Sequence, residues 1–146
     1  MTQPVAQPLF VLDTSVLVHA VRRGPVWDRI RSRYRLFAVE PRPIISVVSV
    51  GELRSLAYQR EWGQAKRDQL EFVLGYFRRM TIDTPAVIEA YALMDSHLQR
   101  RGRVLGKNDL WIAATTVDVG GHLLTCDRDF DDLDPAFLAR TWIDPS

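Results

Sequence analysis

Apolar residues fall along this chain in two modes, short unbroken runs and stripes spaced three and four apart. The first run, Leu9 to Val18, reads LFVLDTSVLV: four apolar residues, Asp13, two small hydroxyls, then apolar residues again. Such a run suits a strand buried on both faces, as in a parallel sheet. Val16 to Ala20 starts a helix that stops near Gly24-Pro25, and a second helix from Val26 to about Tyr34 turns Val26, Ile30 and Tyr34 inward. Pro41 and Pro43 bracket a break before Ile44 to Val48, the second β-rich run. Ser49 then reads as a helix N-cap with Glu52 three residues on, the capping-box arrangement, and Val50, Leu53 and Ala57 form the inner stripe of a helix reaching Gln59. After the Trp62-Gly63 turn, Gln64 to Phe77 reads as a helix burying Leu70, Val73, Leu74 and Phe77. Met80 to Ile82 is a short third strand. Thr84-Pro85 opens a helix with Val87, Tyr91, Met94 and Leu98 on one face. Gly102 to Lys107 is a connection, Asn108 caps a helix from Asp109 to Val119, and Gly120-Gly121 closes it. His122 to Thr125 is a fourth strand and Arg140 to Ile143 a fifth. Strands alternating with helices predict an α/β fold, a parallel four- to five-stranded sheet with helices on both faces. With no repeat or linker, residues 1–146 read as one domain.

Composition narrows the setting. At 47% hydrophobic and 25% charged the chain is ordinary for a globular protein, and no apolar stretch approaches membrane-spanning length. The opening MTQPVAQP lacks the basic and apolar segments of a secretory signal. The single cysteine, Cys126, rules out an internal disulfide and suits a reducing cytoplasm; it reads as a small residue at a strand end. Net charge is only +1, but the 19 basic residues include two lysines, Lys66 and Lys107, and the rest are arginines. A GC-rich genome gives such a bias, and so does phosphate recognition. Clusters at Arg22 to Arg42 and Arg100 to Arg103 are compatible with nucleic-acid binding without establishing it.

Candidate chemistry begins at Asp13. A carboxylate interrupting a buried run should reach the strand's exposed end or meet a cation, and open α/β sheets place their ligands beyond the carboxyl ends of the strands. With right-handed crossovers, each strand ends and each following helix begins at one edge. Asp13, Glu52, Asp109 and Asp127 then all project from that edge. The link before Asp109 must climb the height of the sheet; its six residues reach roughly 20 Å when extended, enough to span it. Taken singly, each acid has a plain structural use: Glu52 in a capping box, Asp109 at a helix N-terminus, Asp127 in a turn. Together, four carboxylates without a lysine or histidine repel one another and raise their pKa values. A divalent cation resolves the conflict, and an oxygen-only donor set suits Mg²⁺ or Mn²⁺ rather than zinc.

Two other acidic readings fail. Asp127, Asp129 and Asp131 mimic the start of an EF-hand, but Asp132 and Leu138 stand where glycine and glutamate are required. A phosphoacceptor reading with Asp13 and Asp83 lacks the acid pair and the lysine it needs. LDTSVLV at 12–18, SVGEL at 49–53, NDLWIAATT at 108–116 and LLTCDRDF at 123–130 instead resemble, in order and spacing, the four motifs of PIN-domain ribonucleases, and more narrowly VapC toxins. The resemblance covers essentially the whole chain. It implies a Mg²⁺- or Mn²⁺-dependent endoribonuclease whose acidic site is Asp13, Glu52, Asp109 and Asp127, with Thr14, Ser15 and Thr125 as supporting polar groups and Asp129 on a more variable acid. It also implies a homodimer and a cognate, small VapB-like antitoxin covering the groove.

The mechanism expected is metal-activated attack of water on an RNA phosphodiester, with one or two ions and no catalytic histidine; His19, His97 and His122 read as structural. RNA would pass nearby arginines, with Arg22, Arg23 and Arg29 as candidates, and bind less tightly as salt rises. Trp27, Tyr34 and Trp62 suit core or dimer packing better than base stacking. Two alternatives stay open: a PIN nuclease of RNA processing without an antitoxin, which the absence of an added RNA-binding domain disfavours, and a non-catalytic module whose acidic edge docks a basic partner.

Overall fold

The computed structural model describes residues 7–146; most of the N-terminal segment read as lacking a secretory signal lies outside them. The elements run β1 (Phe10–Leu12), α1 (Thr14–Arg22), α2 (Pro25–Tyr34), β2 (Ile44–Ser46), α3 (Val47–Gln59), α4 (Gln64–Tyr76), β3 (Arg78–Met80), α5 (Pro85–Arg100), α6 (Lys107–Asp118), β4 (His122–Thr125) and β5 (Ala139–Trp142). A 3₁₀ turn, Arg128–Leu133, joins β4 to β5. The five strands form one sheet in the order β3-β2-β1-β4-β5, and every neighbouring pair is parallel. The expected α/β architecture is the one the chain adopts.

The unbroken apolar runs are explained by a sheet with two covered faces. Phe10, Leu12, Ile45 and Leu124 face a core shared with Leu17, Ile30, Leu53 and Val73 from α1 to α4. Their neighbours Val11, Ile44 and Leu123 face the opposite core, with Met94 and Leu98 from α5 and Ile112 from α6. Successive strand residues point to opposite faces, so a strand covered on both sides is apolar along its middle and keeps polar residues such as Ser46, His122 and Thr125 for its ends. Trp27 and Trp62 are buried in the first core, which answers the choice between packing and base stacking for both. Among the described residues no helix is long and apolar enough to cross a membrane.

Several boundaries differ from those the pattern predicts. β2 stops at Ser46 rather than Val48, and the N-cap of α3 is Ser46, whose Oγ accepts a hydrogen bond from the Val48 amide at 3.1 Å. Ser49 and Glu52 are therefore not a capping box. The β-branched run through Val47 and Val48 imitates strand, but the backbone turns helical as soon as Ser46 supplies a cap. Similarly, α6 begins one turn's fraction early: Gly106 occupies the cap position, and Asn108 lies inside the helix. β3 is Arg78–Met80, two residues ahead of the expected run. Thr84 caps α5 as expected, accepting from the Val87 amide at 3.2 Å.

The glycine pair after α6 is fixed by geometry. Gly120 has φ +61°, the left-handed conformation that ends a helix with little strain only in glycine. At Gly121 a Cβ would stand 2.9 Å from both the Leu9 carbonyl oxygen and Val11 Cγ2. Helix α6 thus delivers the chain directly against β1, where the His122 amide donates to the Leu9 carbonyl at 2.8 Å.

Candidate active site

Asp13 and Asp127 follow β1 and β4, Glu52 lies in the helix that follows β2, and Asp109 lies in the first turn of α6. Asp13 immediately follows β1, and its amide donates to the Leu124 carbonyl at 3.0 Å, so it extends the pairing with β4. The expectation that it reaches an exposed end is wrong: Asp13 is only 1% accessible. Among the described residues no arginine or lysine pairs with it; two hydroxyls bond it instead, without outweighing its burial. Ser15 Oγ and Thr125 Oγ1 donate to Asp13 Oδ2 at 2.7 and 2.8 Å. These hydroxyls in turn accept backbone amides from the chain leaving β4, Cys126 N to Ser15 Oγ at 3.0 Å and Asp127 N to Thr125 Oγ1 at 2.9 Å. Each hydroxyl thus uses its proton on the carboxylate and its lone pair on the backbone. The other oxygen, Asp13 Oδ1, is buried and has no hydrogen-bond partner.

Glu52 sits in the second turn of α3, and its Oε1 accepts the Thr14 hydroxyl at 2.7 Å. Thr14 has one proton to give, so the 2.8 Å contact between Ser49 Oγ and Thr14 Oγ1 has Ser49 as donor. Ser49 is completely buried. The pattern that makes Ser49 resemble a helix cap hides its bond to Thr14; its position one turn before Glu52 on the same helix is the signal for it.

Asp109 lies in the first turn of α6, and Asp127 directly precedes the 3₁₀ turn that carries Asp129. Carboxylate oxygens of Asp109, Asp127 and Asp129 come within 4.8 Å of one another. Asp129, which the resemblance placed on a more variable acid, therefore stands in the tightest acidic group. Asp13 and Glu52 lie outside that three-residue set, yet their charges still act on it. Burial, then the charges of Asp13, Asp127, Glu52 and Asp129, push Asp109 up to about 7. Burial likewise raises Asp13 to about 6 against the lowering effect of its two hydroxyl partners, and Asp127 is raised by burial and by the Asp129 and Glu52 charges. Burial, followed by Asp13 and Asp127, lifts the Cys126 thiol to about 11, so it stays protonated and is no nucleophile at neutral pH.

A group of acids held above their ordinary values, supplied only with oxygen donors and including a buried oxygen without a partner, fits a hard divalent cation. The histidines take no part in the acidic group: His122 Nε2 contacts Thr141 Oγ1 at 2.6 Å, and the His97 ring packs edge-on against Phe137. Of the candidate arginines, Arg23 donates to Gln69 and Arg29 to the Asp144 carbonyl.

A family model described as the PIN domain matches residues 10–135, a span that contains every one of these acids. The chain belongs to the PIN-domain family. Among relatives of this PIN domain, Ribonuclease VapC4 of Mycobacterium tuberculosis is 39% identical over 88 residues, covering 59% of this chain and 67% of the relative. In three dimensions the PIN domain superposes on the crystal structure of VapBC2 from Rickettsia felis bound to a DNA fragment from their promoter, with TM-score 0.81 and 20% identity over 93% of this chain and 99% of that one. At that identity the likeness is one of fold. VapBC-5 from Mycobacterium tuberculosis, a member of the VapBC family of toxin-antitoxin systems, matches with TM-score 0.65 and 26% identity over 93% of this chain and 98% of that one.

Proposed function

We propose that this PIN domain is a VapC-type endoribonuclease toxin that hydrolyses RNA phosphodiester bonds with Mg²⁺ or Mn²⁺ and is neutralised by a VapB-like antitoxin. The observation that carries the reading is the meeting of Asp13, Glu52, Asp109, Asp127 and Asp129 at one sheet edge, with Asp13 Oδ1 buried and unpartnered. The name of the ribonuclease relative and the VapBC complexes among the fold neighbours support the activity and the partner. Homodimerisation and a cytoplasmic setting belong to the same proposal.

Asp13, Asp109 and Asp127 are proposed to hold the ion, with Asp129 beside them and Glu52 acting directly or through water. When bound, the ion supplies a water of lowered pKa and neutralises charge on the phosphate under attack. The chain's own part is positioning. Ser15 and Thr125 hold Asp13 Oδ2, which leaves Oδ1 as its free donor atom. Ser49 and Thr14 hold Glu52 by a relay of two hydroxyls. Asp109, raised to about 7, carries a proton in the metal-free protein for part of the time near neutrality and gives it up when a cation arrives.

The test uses purified, partner-free protein, an Asp13→Asn variant and an Asp109→Asn variant, each incubated with a mixed RNA pool in Mg²⁺, Mn²⁺ or EDTA, with the cut ends sequenced. Cleavage should require the metal, and each variant should lose at least the roughly 10–100-fold that removal of a mere outer partner costs a metal site. Absence of cleavage together with absence of Mn²⁺ binding by calorimetry would leave the acidic edge as a docking surface.

A further inference from the structure

Arg128 lies between two acids of the tightest group, in the order Asp127-Arg128-Asp129. A guanidinium so placed would be expected to pair with its neighbours and cancel part of their charge. It does not: among the described residues Arg128 makes no ion pair, whereas the acids further along its 3₁₀ turn and just after it do, Asp131 and Asp134 with Arg140 of β5 and Asp132 with Arg103 of the α5–α6 connection. Its guanidinium carbon lies 3.8 Å from the centroid of the Trp142 ring instead, a stacking distance.

The ring it rests on is fixed. Trp142 ends β5 in register with Thr125 of β4, and its indole Nε1–H donates to the Cys126 carbonyl at 3.0 Å. Cys126 is the residue between Thr125, which holds Asp13, and Asp127. The indole plate is therefore pinned to the same few residues that build the acidic site. A guanidinium stacked on a ring keeps its N–H groups at the free edges of its plane, the presentation that grips a phosphate through two oxygens. The same tryptophan also lines a recess of about 300 Å³ with Arg33, Tyr34 and Asp144, but there Arg29 is already spent on the Asp144 and Ser146 carbonyls, which leaves Arg128 as the stacked guanidinium beside the acids.

We infer that Arg128, held on Trp142, binds a phosphate of the RNA strand next to the one that is cut. Arg128 is a substrate-binding residue, and Trp142 a positioning residue acting through it. The inference rests on the nuclease reading above, which is tested separately.

Cleavage of a single-stranded oligoribonucleotide would be followed as kcat and KM over a range of NaCl concentrations, for the unsubstituted chain, Arg128→Gln, Trp142→Leu and Trp142→Phe, with thermal unfolding and Mn²⁺ calorimetry alongside. A contact to a phosphate that does not react supports ground state and transition state alike, so its loss falls on KM. Arg128→Gln should raise KM about tenfold with kcat little changed, and should reduce the slope of log(kcat/KM) against log[NaCl] by about 0.7, the share of one single-strand phosphate contact. Trp142→Leu should lose the same share of the slope, and Trp142→Phe should restore it. Arg128→Gln with KM and slope unaltered but tighter Mn²⁺ binding would overturn the inference, because the arginine would then only trim the charge of the acids. An unsubstituted chain that neither cuts nor binds RNA would remove the nuclease reading itself, and this inference with it.

Discussion

Asp13 has two oxygens in unlike circumstances, and its role depends on the difference. Oδ2 receives two hydroxyl protons and Oδ1 none, so the side chain is held at one atom and available at the other. Thr125 is the group on which most converges, because it also accepts the amide of Asp127. Thr125→Val keeps the shape of the side chain, removes the donor to Asp13 and strands a backbone amide. It should cost about 1–3 kcal/mol in urea unfolding and weaken Mn²⁺ binding by calorimetry; a variant equal to the unsubstituted protein in both would show that the hydroxyl bridge is dispensable. At this scale the sequence was informative for Asp13, since a charge inside an apolar run has few explanations. It was silent about Arg128 and Trp142, which are fourteen positions apart and meet only because β4 and β5 pair.

At the scale of the element, the junction of β2 and α3 shows two serines three positions apart sharing work that looks interchangeable in sequence. Ser46 ends the strand and caps the helix, while Ser49 is buried one turn on and donates to Thr14. The two should separate experimentally. Ser46→Ala should lower stability by about 1 kcal/mol, the usual loss for an N-cap, with metal affinity retained. Ser49→Ala leaves the cap intact but unties the relay to Glu52, and should show chiefly as weaker Mn²⁺ binding. Urea midpoints and calorimetric titration of the two variants check both outcomes. Apolar periodicity located these helices because buried stripes repeat. It misplaced their first residues because two adjacent valines favour strand as strongly as the serine before them favours a cap.

For the molecule as a whole, the acidic edge ties folding to pH. Asp109 and Asp13 stand at about 7 and about 6, and Asp127 is raised as well, chiefly through burial in each case. Between the ordinary carboxylate range and those values, the folded chain holds protons that the unfolded chain has released. The unfolded state then binds fewer protons, so stability falls as pH rises through that window. In EDTA the protein should unfold at a higher temperature at pH 5 than at pH 8. Mn²⁺ should reverse the order, because a cation replaces the protons and binds more tightly as they leave. Thermal unfolding at both pH values, with and without Mn²⁺, measures this, and Asp109→Asn should flatten the metal-free difference. The parallel sheet with helices on both faces was legible beforehand, because alternating strands and helices with right-handed crossovers leave few topologies, whereas the strand order was not. Asp129 was named only through the resemblance, as the more variable acid; its closeness to Asp109 and Asp127 depends on the 3₁₀ turn after β4.

The central position of β1 beside β4 also bears on how the protein is made. Synthesis runs from the N-terminus, so Asp13, Glu52 and Asp109 are all made before β4 and Asp127 exist to gather with them. The hydroxyl of Thr125, which fixes Asp13, arrives just as late. A chain interrupted before that point carries most of the acids but has no strand to hold them together. An assembled acidic centre therefore exists only in chains translated past β4.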